Sequence, residues 1–461
     1  MALILAITML SVALPGIQAD LHLSATGLVL VGAAYGLSFS GLLLLGGRIV
    51  DLAGPRRVFT LATAGFALAS VGSGFAPNAG ALLAGRFAQG VAAAFAAPAA
   101  MALAGVVFAE PQRRKRAMAI WGLLAPLGAT AGTLASGAVT DWVSWRWTFV
   151  VPTAVGTVAP LLSPRLLPDR TPSEDNGHGH GHGHIDVLGA VLATTGLSAL
   201  SYGLVRAADA PWTSGIVVGP GVVGAILLGA FGVVEHRAAE PLLPLRFLAS
   251  RRRMGALWAV LVGSAGTSTM FFLLSLYFQQ VDRMSPIRTS AAFLPFSAAL
   301  LGAGMLAPRA IEAFGARVVT IAGLAIGAVG LFLLSSLTVN SSYTGALLGG
   351  LVLFPAGVSV VFSAATVLAL EGVPSNQVGT AGGVVNTALE TGPTVGLAVL
   401  VSLAASHTNS LAEGSISVGK AAAQAGGYGF AFKVAAAMYA FTAIAMGTAL
   451  LLRRGAMRRT R

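Results

Sequence analysis

The chain has 461 residues, of which 56% are hydrophobic and only 10% are charged, whereas soluble domains carry about 25% charged residues. This composition excludes a soluble enzyme with a single anchor and predicts an integral membrane protein built from many apolar segments. The net charge is +12, but the basic residues lie in short loops between apolar runs, which indicates membrane topology and not nucleic-acid binding. The sequence contains no cysteine, which excludes disulfides and a Cys-ligated metal.

Fourteen apolar runs are predicted to be spanning helices, since a transmembrane helix needs about 20 mostly apolar residues. The first run has no basic leader segment, so it is predicted to be a retained helix, and its shortness indicates a native start upstream of Met1. An even number of spans places both termini on one side of the membrane. The predicted spans are 1–18, 27–46, 58–76, 80–105, 117–139, 146–163, 186–205, 214–233, 254–278, 288–307, 318–338, 345–368, 380–404 and 429–452.

The distribution of basic residues selects that side. With a cytoplasmic N-terminus, 21 of the 28 Lys and Arg residues fall in cytoplasmic loops and the C-terminal tail, six fall on the other side, and Arg86 alone lies inside a span. Because cytoplasmic loops are enriched in Lys and Arg, the sequence predicts a multi-pass protein of the cell membrane with both termini in the cytoplasm. The same residues attract anionic lipid of the inner leaflet, so membrane lipid is a predicted partner and nucleic acid is not.

An internal repeat divides the chain into two halves. The stretch "RIVDLAGPR" (48–56) follows the second predicted span and "RAIEAFGAR" (309–317) follows the tenth, and both fit R-x-x-[DE]-x-x-G-x-R. Parallel repeats are typical of duplicated transporters, whose substrate site lies between the halves. The predicted organisation is a six-helix bundle at 1–163, a linker at 164–185, two inserted helices at 186–233, a loop at 234–253, a second six-helix bundle at 254–452 and a basic tail at 453–461.

Several motifs support a family resemblance. The stretch "GGRIVDLAGPRR" (46–57) resembles the signature loop of the major facilitator superfamily, and "GRFAQGVAAAFAAPAAMAL" (85–103) resembles its fourth-helix motif. With fourteen spans, "SWRWTF" (144–149) and "NTALETGPTVG" (386–396) are similar to the fourteen-helix drug:proton antiporter branch, of the multidrug and antibiotic efflux type. The resemblance implies an all-α integral membrane protein with two six-helix bundles plus two inserted helices. It also implies a monomeric secondary active transporter, not an enzyme, with a small-molecule substrate and protons as partners.

Two departures from that branch affect the interpretation. The first helix of the branch usually carries an Asp where this chain has Ala6. The G-P-x-x-G-G motif of its fifth helix reads "GTLASG" here, with Thr133 in place of Pro and Ser136 in place of Gly. These departures leave open an alternative within transport, a proton-coupled carrier of a specific metabolite.

The repeated loops are candidates for cytoplasmic gates. Asp51 and Glu312 each end a helix among arginines, and charge-assisted hydrogen bonds would hold neighbouring helices together in one transport state. Gly54 and Gly315 allow the tight turn that follows. The alternative is ordinary interfacial charge that only sets topology. The predicted gating residues are Arg48, Asp51, Gly54, Arg56, Arg57, Arg309, Glu312, Gly315 and Arg317.

Two charged side chains inside spans are predicted to couple protons, because such groups are costly in lipid and normally face a cavity or a partner. Arg86 lies about two turns into the fourth span and Glu390 lies near the middle of the thirteenth. Pro393 removes a backbone donor, so the helix is expected to bend or open beside Glu390. The alternatives are an Arg86 that reaches to the interface and a Glu390 that is a neutral structural group. The predicted substrate cavity contains Gln89, Gln279, Asn386 and Pro393.

A histidine tract is the remaining chemical signal. "NGHGHGHGHID" (176–186) is either a flexible linker or a weak site for a transition metal, through His178, His180, His182 and His184. "GSISVGKA" (414–421) departs from a phosphate-binding loop at its last position, so no cofactor is predicted. The predicted function is antiport, in which protons drive export of a small lipophilic or cationic drug or antibiotic by alternating access. An alternative from another class is a metal-sensing or partner-binding membrane protein that uses the histidine tract.

Overall fold

The protein is described from a computed structural model, which covers residues 2–108, 110, 113, 128, 130–166, 186–207, 210–238, 250–373, 378–414 and 419–459. Every regular element in these ranges is a helix, which confirms the predicted all-α class. The chain forms two compact units. Unit 1 contains Met1–Leu245 with Ser285–Ala291, and unit 2 contains Arg246–Met284 with Ala292–Arg461.

The described part of Met1–Leu245 contributes eight helices to unit 1. α2 packs along α4, α4 along α3 and α3 along α6, while α7 and α8 form a hairpin whose first helix packs against α2. The helices are α1 (Ala2–Asp20), α2 (Ala25–Ala53), α3 (Pro55–Gly74), α4 (Ala79–Val107), α5 (130–142), α6 (Trp147–Leu166), α7 (Val187–Arg206) and α8 (Gly215–Arg237).

Unit 2 contains the remaining long helices. The pairs α12 with α13, α9 with α14, and α11 with α13 make its most extensive contacts. The helices of unit 2 are α9 (Arg251–Leu276), α11 (Leu294–Phe314), α12 (Ala316–Leu334), α13 (Leu348–Leu370), α14 (Val378–Gly414) and α15 (Lys420–Arg459). A π-helical turn at Tyr277–Val281 follows α9, and another at Tyr343–Leu347 precedes α13. The short helix α10 (Pro286–Ala292) lies between α9 and α11 in the chain, and most of it belongs to unit 1.

Ten helices in the described ranges are long and apolar enough to cross a membrane, so the count of fourteen spans stays a prediction. One predicted span differs in detail. The expected continuous helix at 288–307 is interrupted at Phe293, between α10 and α11. Pro295 explains the interruption, because proline has no N–H to donate to the preceding turn and is favoured in the first turn of a new helix.

The helix ends follow signals that are visible in the sequence. The side chain of Ser24 accepts the Gly27 N–H at 3.1 Å at the start of α2, and Asn78 caps α4 in the same way. Gly54 and Gly315 separate α2 from α3 and α11 from α12, with φ of 84° and 82°. Because L residues are strained in this left-handed region, the structure confirms the predicted glycine turns in both copies of the repeat.

Small residues let the helices cross closely in each unit. In unit 1, Gly90 of α4 lies directly against the Tyr35 carbonyl of α2. In unit 2, Gly392 and Gly396 of α14 face Ser264 and Ala265 of α9. Lipid offers no hydrophobic driving force between helices, so packing of this kind supplies much of their association.

Candidate functional site

Unit 1 has a buried cation at its centre. Arg86 on α4 is 1% exposed, and its Nη1 donates to Gln89 Oε1 at 3.0 Å and to the Ala6 carbonyl of α1 at 3.4 Å. The guanidinium carbon also lies 5.0 Å from the ring centroid of Tyr35 on α2, within cation–π range. Arg86 therefore turns into the helix bundle, which contradicts the alternative in which it reaches to the interface.

A chain of neutral polar groups extends this site to α3. Gln89 Nε2 donates to Ser70 Oγ at 2.7 Å, and Ser70 Oγ donates to the Phe66 carbonyl at 2.7 Å. Gln89 and Ser70 are both fully buried. Sequence reasoning found Arg86 and Gln89 but missed Ser70, since a lone serine in an apolar helix is not a distinctive signal. The predicted cavity residue Gln89 is thus the orienting partner of Arg86.

The partners of Arg86 within the described ranges are all uncharged, and its Nε has no hydrogen-bond partner there. A buried guanidinium normally pairs with a carboxylate. The position that carries an acid in the resembled branch is Ala6, and the structure places the Ala6 backbone oxygen next to Arg86. Because no acid is present at position 6, the buried positive charge of Arg86 is stabilised by the dipoles of the Gln89 amide and the Ala6 carbonyl and by the ring of Tyr35.

Unit 2 has an ionisable acid within the apolar helix α14. Glu390 is partly buried, and no residue in the described part of the chain forms a hydrogen bond or ion pair with its carboxylate. Asn386 lies one helical turn earlier and is exposed on the surface of the chain. The two side chains share a helix face because they are four residues apart. This arrangement provides a polar patch on an otherwise apolar helix.

The helix is not opened at Pro393. α14 runs as one helix from Val378 to Gly414, so an opened backbone is contradicted, while a bend at Pro393 stays a prediction. Ser268 Oγ of α9 donates to the Pro393 carbonyl at 3.4 Å, and Thr394 Oγ1 donates to the Glu390 carbonyl at 3.3 Å. Neighbouring hydroxyl groups and close packing against α9 support the helix here, as is common for proline in membrane helices.

The fourth predicted cavity residue lies elsewhere in unit 2. Gln279 belongs to the π-helical turn that ends α9, and its Nε2 donates to Ser275 Oγ at 3.3 Å. The next residue, Gln280, accepts a hydrogen bond from Gln424 of α15 at 3.4 Å. Gln279 thus forms a hydrogen bond within its own helix, and its place in the substrate cavity stays a prediction.

The two gating loops have the same backbone shape but different side-chain contacts. In the second loop, Arg317 donates to the Met446 carbonyl of α15 at 3.0 Å, while Arg309 and Glu312 are exposed. The side chain of Asp51 lies outside the described residues. An acid-to-arginine latch therefore stays a prediction for the first loop, and a bond to a backbone carbonyl holds the second.

Two ionic contacts were not predicted from the sequence. Asp20 at the end of α1 accepts from Arg146 at 2.5 Å and from the indole N–H of Trp145 at 3.0 Å. The Arg146 guanidinium holds the pKa of Asp20 below its usual value, with a further contribution from Trp145. Arg252 and Glu371 form an ion pair between the start of α9 and the end of α13. For the contact of Asp20 with Trp145 and Arg146, the only signal in the sequence was the "SWRWTF" motif, which contains both partners.

The histidine tract lies outside the described residues. Its role as a metal site or as a linker therefore stays a prediction.

Long apolar helices in two compact units, with ionisable side chains inside them, define a multi-pass membrane protein of the transporter type. The profile of the Major Facilitator Superfamily matches residues 1–397, so the chain belongs to this superfamily, which consists of transporters and not of enzymes.

Relatives and solved structures agree with this assignment. The puromycin resistance protein pur8 of Streptomyces alboniger is 36% identical over 397 residues, covering 85% of this chain and 77% of that protein. The cephamycin export protein CmcT of Amycolatopsis lactamdurans is 36% identical over 409 residues, covering 87% and 82%. The crystal structure of the human organic anion transporter MFSD10 has a TM-score of 0.62 at 18% identity, covering 96% of this chain and 97% of that one. These two relatives are thus named for antibiotic resistance and antibiotic export, and the solved structure shares the fold.

Proposed function

We propose that the protein exports a small lipophilic or cationic antimicrobial compound in exchange for protons, by alternating access. Export of antibiotics is supported by the relatives named for puromycin resistance and for cephamycin export. The observation that carries the proton coupling is Glu390, an ionisable side chain inside an apolar helix with no hydrogen-bond partner in the described ranges. Intramembrane acids of this kind mark proton and ion pathways.

In this proposal the two charged groups inside helices, Arg86 and Glu390, have different tasks. Glu390 binds a proton when its site opens to one side of the membrane and releases it when the site opens to the other. Arg86 is held by neutral partners, so it remains a fixed positive charge in unit 1. The chain lacks an acid at position 6, which makes Glu390 the principal proton carrier.

The proposal also includes the topology and the gate. The chain resides in the cell membrane as a monomer with both termini in the cytoplasm, as the distribution of arginines indicates. The loops at 48–57 and 309–317 then face the cytoplasm. Each contains a glycine turn, and in this proposal their arginines hold or release the neighbouring helix ends.

Reconstituted proteoliposomes with an internal pH dye test the coupling, with puromycin and tetraphenylphosphonium as transport probes. We expect the wild-type protein to move protons against the probe, and Glu390→Gln to lose at least about tenfold of this exchange while still binding the probe. Glu110→Gln is the matched control, since Glu110 lies in an exposed loop segment paired with Arg113 at 2.8 Å. Unchanged pH dependence of transport in Glu390→Gln would contradict the proposal.

A further inference from the structure

A long apolar groove of about 1020 Å³ runs along the surface of unit 1 between α3 and α4, and α2 contributes to one end. It extends along α4 from Gly80 to Phe95, a length of about 22 Å at 1.5 Å per residue. All of its lining residues are apolar or glycine except Arg57, which lies at the α2 end. The groove therefore offers an elongated hydrocarbon surface with one positive charge.

Small side chains create the groove. Ala84, Ala88 and Ala92 recur every four residues along α4, so they lie on one face of the helix. Leu61 of α3 forms part of the wall and is 65% exposed. An apolar surface of this kind is unfavourable in water, and inside a bilayer it is the natural contact of an acyl chain.

Arg57 is available to a ligand. Its side chain is exposed, and no hydrogen bond or ion pair engages it within the described residues. The neighbouring Arg48 and Arg56 both have partners. In the second copy of the repeat the residue after Arg317 is Val318, so unit 2 has no charge at the equivalent position. The charge of Arg57 is thus not repeated in the second copy of the motif.

We propose that this groove binds an anionic phospholipid of the cytoplasmic leaflet, with its phosphate at Arg57 and an acyl chain between α3 and α4. In the proposed orientation Arg57 lies at the cytoplasmic surface, where anionic headgroups concentrate. Charge disfavours a cationic substrate as the occupant, since Arg57 would repel it, and competition with puromycin tests whether substrate binds here instead. Because Arg57 belongs to the first gating loop, an occupied groove places a lipid phosphate directly on that loop.

Native mass spectrometry of the purified full-length protein tests the headgroup. The protein is equilibrated with equal amounts of dioleoyl phosphatidylglycerol and dioleoyl phosphatidylcholine, and the retained lipids are counted. We expect preferential retention of phosphatidylglycerol, reduced about fivefold in Arg57→Gln, which corresponds to roughly 1 kcal/mol for one basic residue. Arg251→Gln removes another exposed arginine outside the groove and is expected to change nothing. Equal losses in both variants would overturn the proposal.

A second measurement tests the acyl chain. Ala88→Trp fills the groove at an exposed position, and Leu68→Trp adds the same bulk at an exposed α3 position outside the groove lining. We expect only Ala88→Trp to release the retained phosphatidylglycerol. In Leu61→Trp, we expect the fluorescence of the added indole, taken as the difference from the wild type, to be quenched more strongly by phosphatidylglycerol with brominated chains than by brominated phosphatidylcholine. If Ala88→Trp retains the lipid, or if puromycin displaces it, the groove is not a lipid site.

Discussion

Arg86 illustrates how a buried charge is stabilised without an opposite charge. Its contacts are an amide oxygen, a backbone carbonyl and an aromatic ring, each a partial negative charge fixed by the fold. These contacts explain why the site tolerates alanine at position 6. They also make position 6 the place where an added carboxylate would have the largest effect.

We expect Ala6→Asp to form an ion pair with Arg86, because the Ala6 carbonyl already lies 3.4 Å from the guanidinium. A double-mutant cycle with Arg86→Gln should give a favourable coupling free energy of roughly 1–3 kcal/mol, measured by thermal unfolding in detergent. Ala6→Asn is the control of the same size without charge. The expectation fails if Ala6→Asp has the same effect on stability in the presence and in the absence of Arg86.

Asp20 makes stability depend on pH. Its pKa is lowered, chiefly by the hydrogen bond from Arg146, so the folded protein binds the proton less readily than the unfolded chain. The ion pair therefore stabilises the fold above the ordinary value of 3.8 and loses its effect as the pH falls through the lower folded value. Asp20→Asn should melt below the wild type at neutral pH, and the gap should close in acid. Asp141→Asn, at an exposed position, should show no such gap.

At the scale of helices, the contact between α9 and α14 sets the position of Glu390. A Cβ at Gly396 would overlap Ala265, and one at Gly392 would overlap Ser264 and the Leu261 carbonyl. We expect Gly396→Val to destabilise unit 2 by about 1–3 kcal/mol, the usual cost of overpacking, as measured by thermal unfolding. Gly382 lies on the same helix with open space around it, so Gly382→Val serves as the control. Equal melting temperatures would show that α14 is not held by this contact.

The helices could be predicted from the sequence because each apolar run and each glycine turn is a local signal. The polar contacts between helices could not be predicted in this way. Arg86 and Ala6 are 80 positions apart, and Asp20 and Arg146 are 126 apart, so only the tertiary packing brings them together. The continuity of α14 at Pro393 could not be predicted for the same reason, since the hydrogen bond from Ser268 comes from another helix.

At the scale of the whole molecule, the absence of cysteine makes the proposed topology directly measurable. A single introduced cysteine reports the side of the membrane on which it lies, without any background to remove. Thr213 and Ser342 are exposed in loops that the proposed orientation places outside the cell, and Ala313 is exposed beside a cytoplasmic loop. We expect a membrane-impermeant maleimide to label Thr213→Cys and Ser342→Cys in intact cells, and Ala313→Cys only after the cells are opened.

Thr213 is the most informative of these positions because it lies between α7 and α8. If the hairpin crosses the membrane twice, its tip is outside, and the two inserted helices of the fourteen-span prediction are present. If Thr213→Cys reacts only in opened cells while Ser342→Cys reacts in intact ones, the hairpin does not cross and the chain has at most twelve spans. The excess of arginines on the cytoplasmic side would then have to come from the remaining loops. The C-terminal tail would still be cytoplasmic, because removing two spans leaves an even number of spans.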